Sequence, residues 1–267
     1  MTDQQTLEPL TGGQLPHVGT YRRIVPVSLE RMYENALDWE HLPYVHGSSF
    51  GSIDCLDSGP WGWRAALTSV AGDPSEIELR LDRPLRRWIT RNLSGSATGA
   101  EIWTHAFELG PQELQLNVDF FVPGVAPEQR AKVGRVYAGL YATLYDEDVA
   151  MMVERQRQLD QRIERSREED SLALGALSAL PERSLHQLGG RQWLLIRLAE
   201  NLYVVPALCP HLLGPLHEGA ISDGCIECPW HGYRFDLASG ACRSGQGLAL
   251  TQRPTVRIDD GNVTLKF

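Results

Sequence analysis

Cys209-Pro210-His211 and Cys228-Pro229-Trp230-His231 stand sixteen residues apart, so two thiols and two imidazoles are offered by two short loops. No other feature limits the fold as strongly, because both loops must converge on one centre. The pairs are mixed, C-x-H and C-x-x-H. Cys2His2 zinc sites instead favour like pairs, C-x2–4-C with H-x3–5-H, so zinc is the weaker reading. Two thiolates on one iron and two imidazoles on a second describe a 2Fe–2S cluster bound by Cys209, His211, Cys228 and His231, with a potential above that of an all-cysteine cluster. Leu212-Leu213-Gly214-Pro215-Leu216 follows the first pair and Gly232-Tyr233-Arg234-Phe235-Asp236 the second. Their glycines and proline allow tight loops whose backbone N–H groups reach the sulfurs. Such a cluster moves one electron at a time, so the rest of the chain must supply or use it.

The chain has 267 residues, enough for two domains or one large one. It contains no apolar run of about 18 residues, so no membrane span is expected. The start, Met1-Thr2-Asp3-Gln4-Gln5, lacks a secretory apolar region, and a cytoplasmic location is expected. A net charge of −9 with no basic stripe argues against nucleic acid as a partner. Five cysteines leave an odd remainder after the cluster, which argues against a disulfide framework. Cys225 is expected to be a buried, inert thiol.

Residues 1–18 read as a loose polar arm. A helix is expected over 29–42, with Ser28 as its N-cap and Pro43 at its end. Period-two patterning marks strands at 61–70, 75–82, 86–93, 101–109 and 112–122, separated by Gly/Pro turns as in an antiparallel meander. A long helix is expected over 127–166, with Tyr137, Leu140, Tyr141, Leu144, Met151 and Met152 as its apolar stripe. The fold class is therefore α+β. Residues 1–168 form a helix-grip domain, an antiparallel sheet curled on a long helix. A linker follows at 169–184, and 185–267 form a small all-β domain carrying the cluster loops. Trp61, Trp63, Trp88, Trp103, His105 and Phe107 are candidates for an apolar pocket, with plain core as the alternative for each. Arg86 and Arg87 could meet a carboxylate, though exposed surface suits them better.

The first helical region ends in a second candidate site. His41 and His46 are five apart and cannot share one face of a straight helix, but a break at Pro43 lets both turn to one point. Asp38 lies three residues before His41, on the same helical face. A third ligand would complete a 2-His-1-carboxylate set, which leaves open positions on Fe(II) for dioxygen.

Asn35, Asp38, His41 and His46 resemble the mononuclear-iron motif of Rieske non-heme iron oxygenases, N-x-x-D-x-x-H-x4-H. The wording through Tyr44-Val45-His46-Gly47-Ser48-Ser49 is similar to the aromatic O-demethylase and dicamba monooxygenase branch. Tyr145-Asp146-Glu147-Asp148 resembles the late-helix segment that carries the family's carboxylate ligand. The resemblance implies a mononuclear Fe(II) bound by His41, His46 and Asp148, with Asp146 and Glu147 as competing carboxylates. It implies that Asn35 and Asp38 serve catalysis, Asp38 by bridging His41 to a cluster histidine, here His231, usually of a neighbouring subunit. It also implies a monooxygenase or dioxygenase that hydroxylates or demethylates a small organic molecule, aromatic or alicyclic, using dioxygen. Electrons would come from a separate reductase or ferredoxin fed by NAD(P)H, since no flavin or nicotinamide motif is present. The family usually carries its Rieske domain first and forms head-to-tail homotrimers. Here the order is reversed, so pairing of the metals within one chain is the alternative. A different class of function is a Rieske electron carrier fused to a ligand-binding helix-grip domain; an iron-dependent sensor is a third.

Overall fold

The computed structural model describes residues 15–163, 170–251 and 253–267. The described chain divides into two units, one ending at Val153 and the other beginning at Glu154.

Alternation builds the first unit. Its strands are β1 (His17–Val25), β2 (Phe50–Gly59), β3 (Gly62–Ser69), β4 (Pro74–Asp82), β5 (Arg87–Asn92), β6 (Glu101–Gly110) and β7 (Glu113–Phe121). They form one antiparallel sheet in the order β1-β7-β6-β5-β4-β3-β2. In β7, Leu114, Leu116, Val118 and Phe120 are fully buried, while the residues between them face the other side. Each such side chain contributes roughly 1.5–3 kcal/mol by leaving water. Register brings Ile102 opposite Phe120, Thr104 opposite Val118 and Ala106 opposite Leu116, so β6 continues the same inner face. The long helix lies on that face as α3 (Arg130–Ile163), after a 3-10 turn at Pro127–Gln129. Tyr137, Tyr141 and Tyr145, spaced by one helical turn, join this core, with Tyr137 and Tyr141 at 5.3 and 5.2 Å from the Phe120 ring. This is the helix-grip arrangement expected.

Gly134 of α3 and Gly19 of β1 allow the two backbones to touch. A Cβ on Gly134 would stand 2.2 Å from the Val18 carbonyl oxygen.

Several expectations change. β1 and β2 are additional strands, at the two edges of the sheet. Each is interrupted by bulges, and β2 is exposed along most of its length, so neither shows clean alternation. The arm expected over 1–18 lies mainly outside the described residues, and its last two residues open β1. The helix expected over 29–42 is two helices, α1 (Leu29–Leu37) and α2 (Leu42–Val45). Ser28 caps α1 by accepting from the Arg31 backbone N–H. Pro43 sits in the first turn of α2, where a missing N–H costs nothing, rather than after the helix end. The chain therefore turns between Asp38 and His41. The end of the long helix expected at 164–166 lies outside the described residues.

The second unit holds three small antiparallel sheets. Their strands are β8 (Ser171–Ala176), β9 (Arg183–Leu188), β10 (Arg191–Leu198), β11 (Asn201–Pro206), β12 (Ile221–Ser222), β13 (Cys225–Glu227), β14 (Arg234–Asp236), β15 (Thr255–Asp259) and β16 (Asn262–Lys266). The sheet orders are β11-β10-β9, β12-β13-β14 and β15-β16-β8. The segment 169–184, expected as a linker, carries β8, which pairs with β16, and Leu180, which is buried beside Leu188, Trp193 and Val263. Its leucines have an apolar face to cover, which a solvated tether does not. No helix among the described residues is long and apolar enough to cross a membrane.

Candidate metal centres

In the second unit the two cysteine–histidine loops have the same design. The Cys209 N–H donates to Gly214 O at 2.8 Å and the Leu213 N–H to Cys209 O at 3.1 Å. The Cys228 N–H donates to Tyr233 O at 2.9 Å and the Gly232 N–H to Cys228 O at 2.9 Å. Four residues after each cysteine the backbone is left-handed, at Leu213 (φ 66°) and Gly232 (φ 63°). Glycine adopts this freely, and leucine at a cost of order 1 kcal/mol. Cys209, Cys228 and His231 are buried and His211 is half-buried. The two imidazoles meet edge to face at 4.5 Å between centroids, and Tyr233 lies 4.9 Å from the His211 ring.

A Cβ on Gly214 would fall 2.8 Å from Cys228 Sγ and 3.1 Å from the Trp230 ring, so glycine is required for the loop to close over the sulfur. The hydrogen bond from Cys209 holds the Cys228 thiol below its usual range, helped by His231; the Cys209 thiol, as donor, is raised. Adjacent sulfurs with two imidazoles beside them are the donor set a 2Fe–2S cluster takes. Cys225 is buried, as expected.

In the first unit, α1 supplies Asn35, the turn after it Asp38 and His41, the end of α2 His46, and α3 Asp148. His41, His46 and Asp148 are 3%, 1% and 8% exposed, and one ligand atom from each lies within 4.8 Å of the others. Asp148 Oδ1 is the meeting point. It lies 3.3 Å from His41 Nε2 and 3.1 Å from His46 Nε2, and accepts from Asn35 Nδ2 at 2.9 Å. Behind the rings the two histidines differ. His46 Nδ1 is 2.7 Å from Glu147 Oε2, a hydrogen bond that sets its tautomer. His41 Nδ1 stands 3.6 Å from Asp38 Oδ2, too far for a hydrogen bond, and is buried without one.

Burial alone would lower the His41 pKa, but Asp148 and Asp38 outweigh it and raise it to about 10. Burial would raise that of Asp148, but His41 and His46 hold it well below the usual carboxylate range. Each group thus favours the other's charged form, and two Nε2 atoms with a carboxylate oxygen meeting in one buried space are a donor set that fits Fe(II).

The three consecutive acids separate by helical geometry. Asp146 points outward, 69% exposed, to Arg23 Nη1 at 2.6 Å; Glu147 backs His46; Asp148 enters the centre. Glu147 as an orienting group was not foreseen, although its place beside Asp148 in sequence was visible.

A cavity of about 120 Å³ adjoins the centre, walled by Met32, Leu42, Phe50, Trp63, Leu79 and Trp88. Trp63 Nε1 donates to Ala36 O at 2.9 Å and ties β3 to α1. Of the six expected pocket residues only Trp63 and Trp88 line it. Trp103, His105 and Phe107 have the parity opposite to buried Ile102, Thr104 and Ala106, and so lie on the outer face of β6, where Arg87 covers Trp103 at 5.1 Å. Trp61 precedes β3 and lies under Arg80 at 5.6 Å. Arg86 and Arg87 pair with Glu108 and Asp82. Tyr141, Tyr145 and Thr90 do line the cavity. The tyrosines' helical spacing was legible, but not the face it would present.

Residues 171–253 match the Rieske 2Fe-2S domain family. Mouse apoptosis-inducing factor 3 is 31% identical over 80 residues, 30% of this chain; the chain spans 13% of that relative's length. The anthranilate 1,2-dioxygenase ferredoxin subunit of Burkholderia cepacia is 30% identical over 92 residues, 34% of this chain and 85% of that one. The oxygenase component of dicamba O-demethylase from Stenotrophomonas maltophilia is 40% identical over 74 residues, 25% of this chain and 21% of that one. A 2Fe–2S cluster is the cofactor this domain supports. With these two loops, and with most of a ferredoxin subunit's length paralleled, the chain belongs to the Rieske 2Fe–2S family.

Proposed function

We propose that the chain is the oxygenase component of a Rieske non-heme iron monooxygenase or dioxygenase. Cys209, His211, Cys228 and His231 would hold the 2Fe–2S cluster, and His41, His46 and Asp148 a mononuclear Fe(II). The cluster supplies single electrons, and the ferrous ion supplies dioxygen activation. The protein's own residues do the rest. Glu147 fixes the tautomer of His46 so that Nε2 faces the ligand point. Asn35 holds the shared oxygen of Asp148 in place. Asp38 stands behind His41 as its carboxylate neighbour. Trp63, Trp88 and Phe50 keep water from the cavity and position a small aromatic or alicyclic substrate for hydroxylation or demethylation. His211, half-buried, offers an edge through which a separate reductase or ferredoxin fed by NAD(P)H can pass electrons. We place the protein in the cytoplasm, without membrane or nucleic-acid partners, its two centres meeting either across the family's homotrimer or within one chain.

One observation carries this reading: a buried 2-His-1-carboxylate group opens onto an apolar cavity in a chain that also has both cluster loops. Metal analysis tests it. Three irons per two acid-labile sulfides are expected, because Fe(II) occupies the first unit. A ratio of two to two, with no uptake of added ferrous ion, selects the second reading, a Rieske electron carrier fused to a ligand-binding domain. The match to a ferredoxin subunit favours that alternative.

A further inference from the structure

The cavity beside His41, His46 and Asp148 has a charge inventory that limits its occupant. Its lining includes no lysine or arginine and two aspartates, Asp38 and Asp148. The arginines on the neighbouring strands are engaged elsewhere, Arg80 with Glu78 at 2.7 Å and Arg87 with Asp82 at 3.0 Å. With Fe(II) bound as proposed above, the two carboxylates cancel the charge of the ion, so no net positive charge remains. A carboxylate entering this space would lose its hydration without gaining a cationic partner.

Size is the second limit. A cavity of about 120 Å³ is slightly smaller than an engineered apolar cavity of about 150 Å³ that accepts benzene. That is room for a single ring.

The lining's hydrogen-bonding groups supply the third. Asn35 is occupied by Asp148, the Trp63 indole by Ala36 O and the Tyr145 hydroxyl by Thr104. Tyr141 lines the same wall, on α3 one helical turn before Tyr145 and two before Asp148. Among the described residues no hydrogen bond engages its hydroxyl, and burial favours the neutral form, so it is a neutral donor at physiological pH. Thr90, on β5, contributes the other hydroxyl to the lining.

We propose that this site takes an uncharged, single-ring substrate with one hydrogen-bond-accepting oxygen, received by the Tyr141 hydroxyl, and that it rejects carboxylates. The charge balance rests on the oxygenase reading, but the test measures binding alone. Anisole, toluene and benzoate are titrated by calorimetry into the full-length protein carrying its cluster. Anisole should bind, with benzoate weaker by about tenfold or more. Tyr141→Phe keeps the ring in the core and should weaken anisole by about fivefold, the worth of one hydrogen bond, leaving toluene unchanged. Thr90→Val should leave anisole unchanged.

Benzoate binding as tightly as anisole overturns the proposal, as does failure of all three probes to bind. Equal losses for anisole and toluene in Tyr141→Phe overturn it too, and so does a loss confined to Thr90→Val. The iron count decides the other reading separately. Three irons with a preference for benzoate sink this inference alone; two irons with selectivity for anisole sink only the oxygenase.

Discussion

Asp146, Glu147 and Asp148 are adjacent acids with three different fates, because successive helical residues point about 100° apart. One meets Arg23 at the surface, one orients His46 and one faces both imidazoles. Asp148→Ala should abolish ferrous binding in the first unit and leave the cluster's visible absorbance intact; metal titration with absorbance read alongside checks both. Glu147→Ala should lower metal affinity by roughly 10–100-fold, the usual cost of losing the carboxylate behind a ligating histidine. Glu147→Gln, which keeps an acceptor oxygen, should recover part of that loss, and Co(II) titration would read the series. In the other unit, Gly214→Ala places a methyl group 2.8 Å from Cys228 Sγ, so the isolated protein should lose most of its sulfide and colour. The two cysteines and two histidines were legible from spacing. Glu147 was not, because which of three neighbours faces inward depends on the rotation of α3 against the sheet.

Between elements, backbone proximity decides. Gly134 sits within α3, where replacing glycine by alanine ordinarily stabilises a helix by about 1 kcal/mol. Here the added methyl group would meet the Val18 carbonyl at 2.2 Å. Gly134→Ala should therefore destabilise the protein by up to about 2 kcal/mol net, since overpacking costs about 1–3 kcal/mol and the helix gain offsets about 1. Urea denaturation followed by tyrosine and tryptophan signals gives the sign; a stabilised variant would mean that β1 and α3 stand further apart. The meander over β3–β7 and the long helix were legible, because alternation and helical period are strong in their buried faces. Edge strands β1 and β2 were not, since an edge needs few apolar residues and bulges break the pattern. The break between α1 and α2 also came earlier than Pro43, because proline fits a helix's first turn.

At the scale of the whole molecule, the Rieske match and the β8–β16 pairing lie within the second unit. Residues 154–267 produced alone should fold and incorporate the cluster, with the absorbance spectrum of the full chain. A fragment starting at 185 loses β8 and buried Leu180, and should be insoluble or colourless. Sequence by itself marked the candidate cluster residues Cys209, His211, Cys228 and His231, the pair His41 and His46 and the helix-grip alternation. These are local facts, set by residue type, spacing and period. Tertiary structure alone decided that Glu147 backs His46, which tryptophans wall the cavity and where the second unit begins. Those outcomes turn on which face of a strand or helix meets another element, and a face is chosen only when distant segments pack together.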